Sequence, residues 1–78
     1  MTSETFKEIL RKHPFEPFRV VMSSGESYII SHPEMALATA RTLVLSIPDP
    51  THPEGERFAF CSYLHVAHVE ILKPSRVA

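Results

Sequence analysis

Five histidines, at positions 13, 32, 52, 65 and 68, are the side chains with the widest chemical reach in this chain of 78 residues. Neutral imidazole binds transition metals, and its charge changes near physiological pH. His65 and His68 stand three apart, which would bring them together on a helix. They fall instead on a turn-to-strand stretch, where that spacing separates them. A zinc site needs three or four ligands, and only one cysteine and one aspartate accompany the histidines. Turn, cap and surface roles account for them, and no metal ligand is expected.

Nucleophilic chemistry is equally poorly supplied. Cys61 with His65 would make a thiol and a base, but a reactive thiolate needs an electropositive, partly exposed site. The residues around it are Phe60, Ser62 and Tyr63, and a lone cysteine in a strand is usually a small buried hydrophobe. Serine hydrolase chemistry lacks its Gly-x-Ser-x-Gly elbow, and Asp49, in a proline-rich loop, is the only aspartate to complete a triad. Phosphate-cradling loops need several glycines, whereas Gly25 and Gly55 are the only two. The expectation is a protein without catalytic residues or a bound cofactor.

Binding is better served. His32-Pro33-Glu34 fits a turn that could carry a recognition element on a loop. Arg19, Tyr28, Arg41 and Tyr63 have the side chains to contact phosphate and stack on bases of single-stranded RNA. The formal net charge of −1 argues against that use, since phosphate-binding modules are usually strongly basic.

These residues must be positioned by a small frame. The length fits one domain over residues 1–78, near the lower limit for a self-sufficient core. Apolar residues form 44% of the chain and charged ones 22%, a globular balance. The single cysteine allows no internal disulfide, which favours a reducing compartment. The start, Met1 to Phe6, has no basic region leading into an apolar stretch, and no apolar run is long enough to span a bilayer. A cytoplasmic location and no membrane partner are expected.

A helix is predicted over residues 3–13. Thr2 or Ser3 can cap it, and Thr5 to Glu8 offers an alternative capping box. Phe6, Ile9, Leu10 and His13 share one face, Glu8 and Lys12 form an i,i+4 pair on the other, and Pro14 stops the helix at His13. So short a helix must dock to persist. His13 to Phe18 then reads as an extended connector. Strands are predicted over 18–23, 26–31, 36–40, 42–47, 57–62 and 67–72, with a loose tail over 73–78. Residues 35–40 also fit a helical turn, and residues 48–56 form the longest loop. A two-residue turn at Ser24-Gly25 would set Met22 opposite Ser27, Val20 opposite Ile29 and Phe18 opposite Ser31. Phe18, Val20, Met22 and Ile29 would then face the core, leaving Arg19, Val21, Tyr28 and Ile30 on the other face. Phe58 and Phe60 share a face of their strand; Val69 and Ile71 are expected inward, His68 and Glu70 outward.

The predicted fold is mostly β (α+β): an N-terminal helix followed by five or six antiparallel strands in a small barrel or strongly bent sheet. In element order it resembles the SH3-like small barrels, most closely the Sm-like layout with its capping helix. The Asp and Asn of the Sm signature and its later Gly-rich turn are absent. The chain is also similar to a group of small bacterial proteins in which a helix leads to Pro-Phe-x-Pro-Phe, a glycine turn, His-Pro-Glu and a C-terminal Leu-His motif. Here these are Pro14 to Phe18, Ser24-Gly25, His32-Pro33-Glu34 and Leu64 to Glu70. That similarity implies a fold and carries no activity. The functional expectation is a non-enzymatic protein-interaction or self-assembly module, a homo-oligomer or adaptor, with an Sm-like RNA-binding ring as the alternative and a metal-binding protein or enzyme as the third reading. The candidate interaction surface comprises Arg19, Val21, Tyr28, Ile30, His32 and Glu34.

Overall fold

The computed structural model describes residues 2–72, so the predicted tail over 73–78 lies outside the described residues. Helix α1 (Ser3–Arg11) leads into strands β1 (Phe18–Met22) and β2 (Ser27–Ile30). A 3₁₀ turn (Pro33–Met35) precedes β3 (Ala36–Ala38), β4 (Thr42–Pro48) and β5 (Glu56–Ser62). A second 3₁₀ turn (Tyr63–His65) turns the chain into β6 (Val66–Ile71). The strands form two antiparallel three-stranded sheets, ordered β2-β1-β6 and β3-β4-β5, and do not close into a barrel.

Thr2 caps α1, its Oγ1 accepting the Thr5 amide at 3.3 Å. The helix ends at Arg11, two residues before the predicted stop. Lys12 already has extended backbone, φ −66° and ψ 137°, and its ammonium donates to Glu16 at 2.9 Å rather than pairing with Glu8. The connector is not extended throughout: the chain bends at His13 and Pro14, whose peptide bond is cis. Lys12 belongs to that connector and not to the helix.

The first hairpin differs from expectation by one residue. Its loop is Ser23-Ser24-Gly25, three residues long: the Met22 amide donates to Glu26 O at 2.8 Å, and the Gly25 amide to Met22 O at 2.9 Å. Gly25 takes φ +96°, the left-handed position that closes such a loop with a bulge. Phe18 therefore faces Ile30, and Val20 faces Tyr28. A one-residue slip exchanges the two faces of a strand. Tyr28 and Ile30 turn to the core beside Phe18 and Val20, Ile30 being 1% exposed, while Ile29 turns outward.

Residues 35–40 divide between both predicted forms, a 3₁₀ turn through Met35 and a strand that stops at Ala38. Thr39 and Thr42 then close the turn over Ala40 and Arg41, with the Thr39 amide and hydroxyl both donating to Thr42 O. The core joins Phe6 of α1, Phe18, Val20 and Ile30 of the first sheet, Leu43, Leu45, Ala59 and Cys61 of the second, and Tyr63. Val69 packs against it as expected, whereas Ile71, also expected inward, is 42% exposed near the end of β6. His68 and Glu70 are exposed, as their alternation with Val69 predicts. Among the described residues no helix is long and apolar enough to cross a membrane.

Candidate functional site

The second sheet exposes apolar side chains on the face away from the core. Inward positions on β4 and β5 belong to Leu43, Leu45, Ala59 and Cys61. The alternation of a strand therefore sends Val44, Phe58 and Phe60 outward. Leu37 pairs with Val44 and Val44 with Phe60, so three apolar residues form one row across β3, β4 and β5. Phe58 stands in the next row opposite Ser46. Phe60 is 73% exposed, Leu37 64% and Phe58 62%.

Hydrogen bonding fixes which way the edge of β5 is presented. The Asp49 amide donates to Gly55 O at 2.9 Å just beyond the strand ends. Hydrogen-bonded and non-bonded pairs alternate along an antiparallel ladder. Arg57, Ala59 and Cys61 thus direct their backbone groups to β4, while Phe58 and Phe60 direct theirs to the open side. The same two phenylalanines supply the apolar face and the edge that is unpaired among the described residues.

The loop between β4 and β5 is exposed but internally bonded. Asp49 Oδ1 accepts from the Thr51 amide at 3.0 Å and from its hydroxyl at 2.6 Å, and Oδ2 lies 3.4 Å from Arg57 Nε. The Thr51 hydrogen bonds hold the Asp49 carboxyl below the ordinary carboxylate range. Two further turns, His52 amide to Asp49 O and Gly55 amide to His52 O, bring β5 back alongside β4.

The six residues singled out from sequence are dispersed. Arg19 and Val21 lie on the outer face of β1, where Arg19 donates to Glu70 Oε1 at 2.6 Å and His68 Nε2 lies 3.4 Å from Glu70 Oε2. The Arg19 bond and then the His68 bond hold the Glu70 carboxyl below its usual range. Tyr28 and Ile30 face the core. His32 and Glu34 are exposed at the first 3₁₀ turn, and Glu34 alone reaches the apolar face, lining a depression there with Met35, Leu37, Val44 and Phe58.

The four residues suited to RNA contact do not assemble either. Tyr63 is buried, stacked on Phe6 with centroids 5.3 Å apart, and its hydroxyl donates to Thr39 O at 2.7 Å. The Cys61 thiol is buried, and burial, then the Glu26 carboxylate, push its pKa upward. Such a thiol is a packing group rather than a nucleophile. Among the described residues no three His, Cys, Asp or Glu side chains gather as metal ligands would.

Period two groups Phe58 with Phe60 but is silent on which side of the strand is inward. The smaller pair, Ala59 and Cys61, takes the core side because Leu43 and Leu45 already fill the space opposite. Comparison with protein-family models, with curated proteins and with solved structures returned no match.

Proposed function

We propose that the chain is a non-enzymatic self-assembly module in which β5 of one copy pairs antiparallel with β5 of a second. The observation that carries this reading is the double exposure of Phe58 and Phe60, in side chain and in outward-directed backbone. An unpaired, apolar edge strand is a template for another chain. A two-fold axis through Ala59 sets Phe58 opposite the partner copy's Phe60. Both positions direct backbone groups outward, so each pair can exchange two hydrogen bonds. Glu56 then faces a serine, and no like charges stand opposite one another. The phenylalanines of both copies form one aromatic row, the kind of cross-strand pairing that stabilises sheets.

The finer fold assignment, an opened SH3-like or Sm-like small barrel, is supported by β1 joining β2 to β6 and by the 3₁₀ corner between β5 and β6. The unpaired, buried Cys61 supports a reducing, cytoplasmic setting. Sedimentation over a range of concentrations tests the self-assembly. A dimer is expected for the native chain and a monomer with unchanged circular dichroism for Phe60→Lys, because an edge lysine blocks strand pairing. A native chain that stays monomeric at high micromolar concentration overturns the reading, as does a Phe60→Lys variant that still dimerises.

A further inference from the structure

The other edge of the same sheet borders a groove that the self-assembly reading does not use. Lys7, Leu10 and Arg11 of α1 line one side, and Ala36, Leu37 and Ala38 of β3 the other, around about 260 Å³. A groove of that size admits a short stretch of chain and not a folded partner.

Three features of this groove converge. Among the described residues β3 is an edge strand bonded only to β4. The Thr39 amide donates to Thr42 O, so the alternation makes Leu37 and Val44 the next bonded pair and turns the backbone of Ala36 and Ala38 away from β4. The Ala36 amide is taken by Pro33 O in closing the 3₁₀ turn. The Ala36 carbonyl and both backbone groups of Ala38 remain, and none of the three has a hydrogen-bond partner among the described residues. The walls also carry charge of one sign. Lys7 and Arg11 stand one helical turn apart, and neither has a carboxylate within ion-pair distance among the described residues. Finally, Leu10 and the largely exposed Leu37 provide apolar surface between the cations and the strand.

We propose that this groove binds an extended acidic peptide segment of another protein, which adds to β3 as a strand. Main-chain hydrogen bonds to Ala36 and Ala38 hold such a segment, as in other strand-addition complexes. Side chains alternate across it, so an acidic residue beside α1 meets Lys7 or Arg11, and its apolar neighbour lies on Leu37. The chain's own C-terminal residues do not suit this role. They run Lys73-Pro74-Ser75-Arg76-Val77-Ala78, carrying the same charge as the groove and a proline near its start. The β5 edge lies on the opposite side of the sheet, so failure of one reading leaves the other standing.

Amide chemical-shift titration of the labelled chain at low salt tests the proposal with three end-blocked hexapeptides. One alternates glutamate and valine, the second has lysine in place of glutamate, and the third is the acidic peptide with its glutamate nitrogens methylated, the ones that face Ala36 and Ala38 in an antiparallel pairing. The acidic peptide is expected to bind saturably and to move the amides of Ala38, Lys7 and Arg11. The lysine peptide is expected not to bind, and the methylated one to bind about tenfold more weakly, a loss of about 1.4 kcal/mol. In Lys7→Glu/Arg11→Glu, the preference is expected to reverse towards the lysine peptide. Should that variant fail to fold, the charge exchange on the native chain decides alone. Equal affinity for acidic and basic peptides, no saturation by the acidic one, shifts confined to β5, or binding of a peptide of residues 73–78 in this groove would each overturn it.

Discussion

Single residues carry distinct structural duties here, and their chemistry predicts what each change would do. Tyr63 closes the core from one end, its ring on Phe6 and its hydroxyl on Thr39 O. Tyr63→Phe keeps the stacking and removes the bond. A loss of about 1 kcal/mol in a denaturant titration is expected, and an unchanged midpoint would mean water serves Thr39 equally well. Gly25 is held at φ +96° with open space around its Cα, so Gly25→Val suffers from backbone conformation and not from collision. Its expected cost is about 1–2 kcal/mol, checked by the same titration. Asp49 acts through charge. Its folded carboxyl is held below the ordinary range by Thr51, so the stabilisation is present above the unfolded carboxylate range and is lost as pH falls through the folded value. Melting temperatures of the native chain and Asp49→Asn should accordingly converge in acid and separate at neutral pH. A constant separation at all pH values would remove the charge from the explanation.

Elements were legible from sequence to different depths, and the reasons are local. Helix α1 and five of the strands follow from apolar spacing and from breaks such as Pro14 after the helix and Pro33 after β2, whereas residues 35–40 leave a helical turn open beside the strand. The first hairpin was harder because Ser24-Gly25 suits either a two-residue turn or the end of a three-residue loop. That single residue decides whether Ile29 or Ile30 enters the core. The outward face of β5 was harder still. Nothing within β5 distinguishes an inward Phe58-Phe60 pair from an outward one, and the decision belongs to what β4 and α1 already place in the interior. Helix docking shows the same dependence. Phe6 alone of α1 is fully buried, against Phe18 and Tyr63, while Ile9 and Leu10 are only partly covered. Phe6→Ala should therefore cost about 3–5 kcal/mol, the range for a truncated buried aromatic. Leu10→Ala should cost clearly less, because its side chain still meets solvent in the helix–strand groove. A larger loss for Leu10→Ala, measured by urea unfolding, would place the docking contact elsewhere.

At the scale of the whole molecule, a small core and a large exposed apolar face belong to the same problem. Domains of this size bury a modest share of their surface and stand only marginally stable alone. Here two large aromatic side chains, which elsewhere bury about 150–250 Å² each, lie outside the core on an edge strand. Pairing of β5 with a second copy would extend the three-stranded sheet across the two-fold axis and satisfy the outward backbone of Phe58 and Phe60. Association of folded chains also couples stability to concentration, because the partner binds the folded state and not the unfolded one. The melting temperature of the native chain should therefore rise with protein concentration, while that of Phe60→Lys should not. At high dilution the two should differ little, since an exposed substitution usually changes stability by under about 0.5 kcal/mol. A chelator should leave the native profile unchanged. If the native melting temperature is flat from low to high micromolar concentration, the exposed phenylalanines serve some other contact, and the edge of β5 stays open in solution.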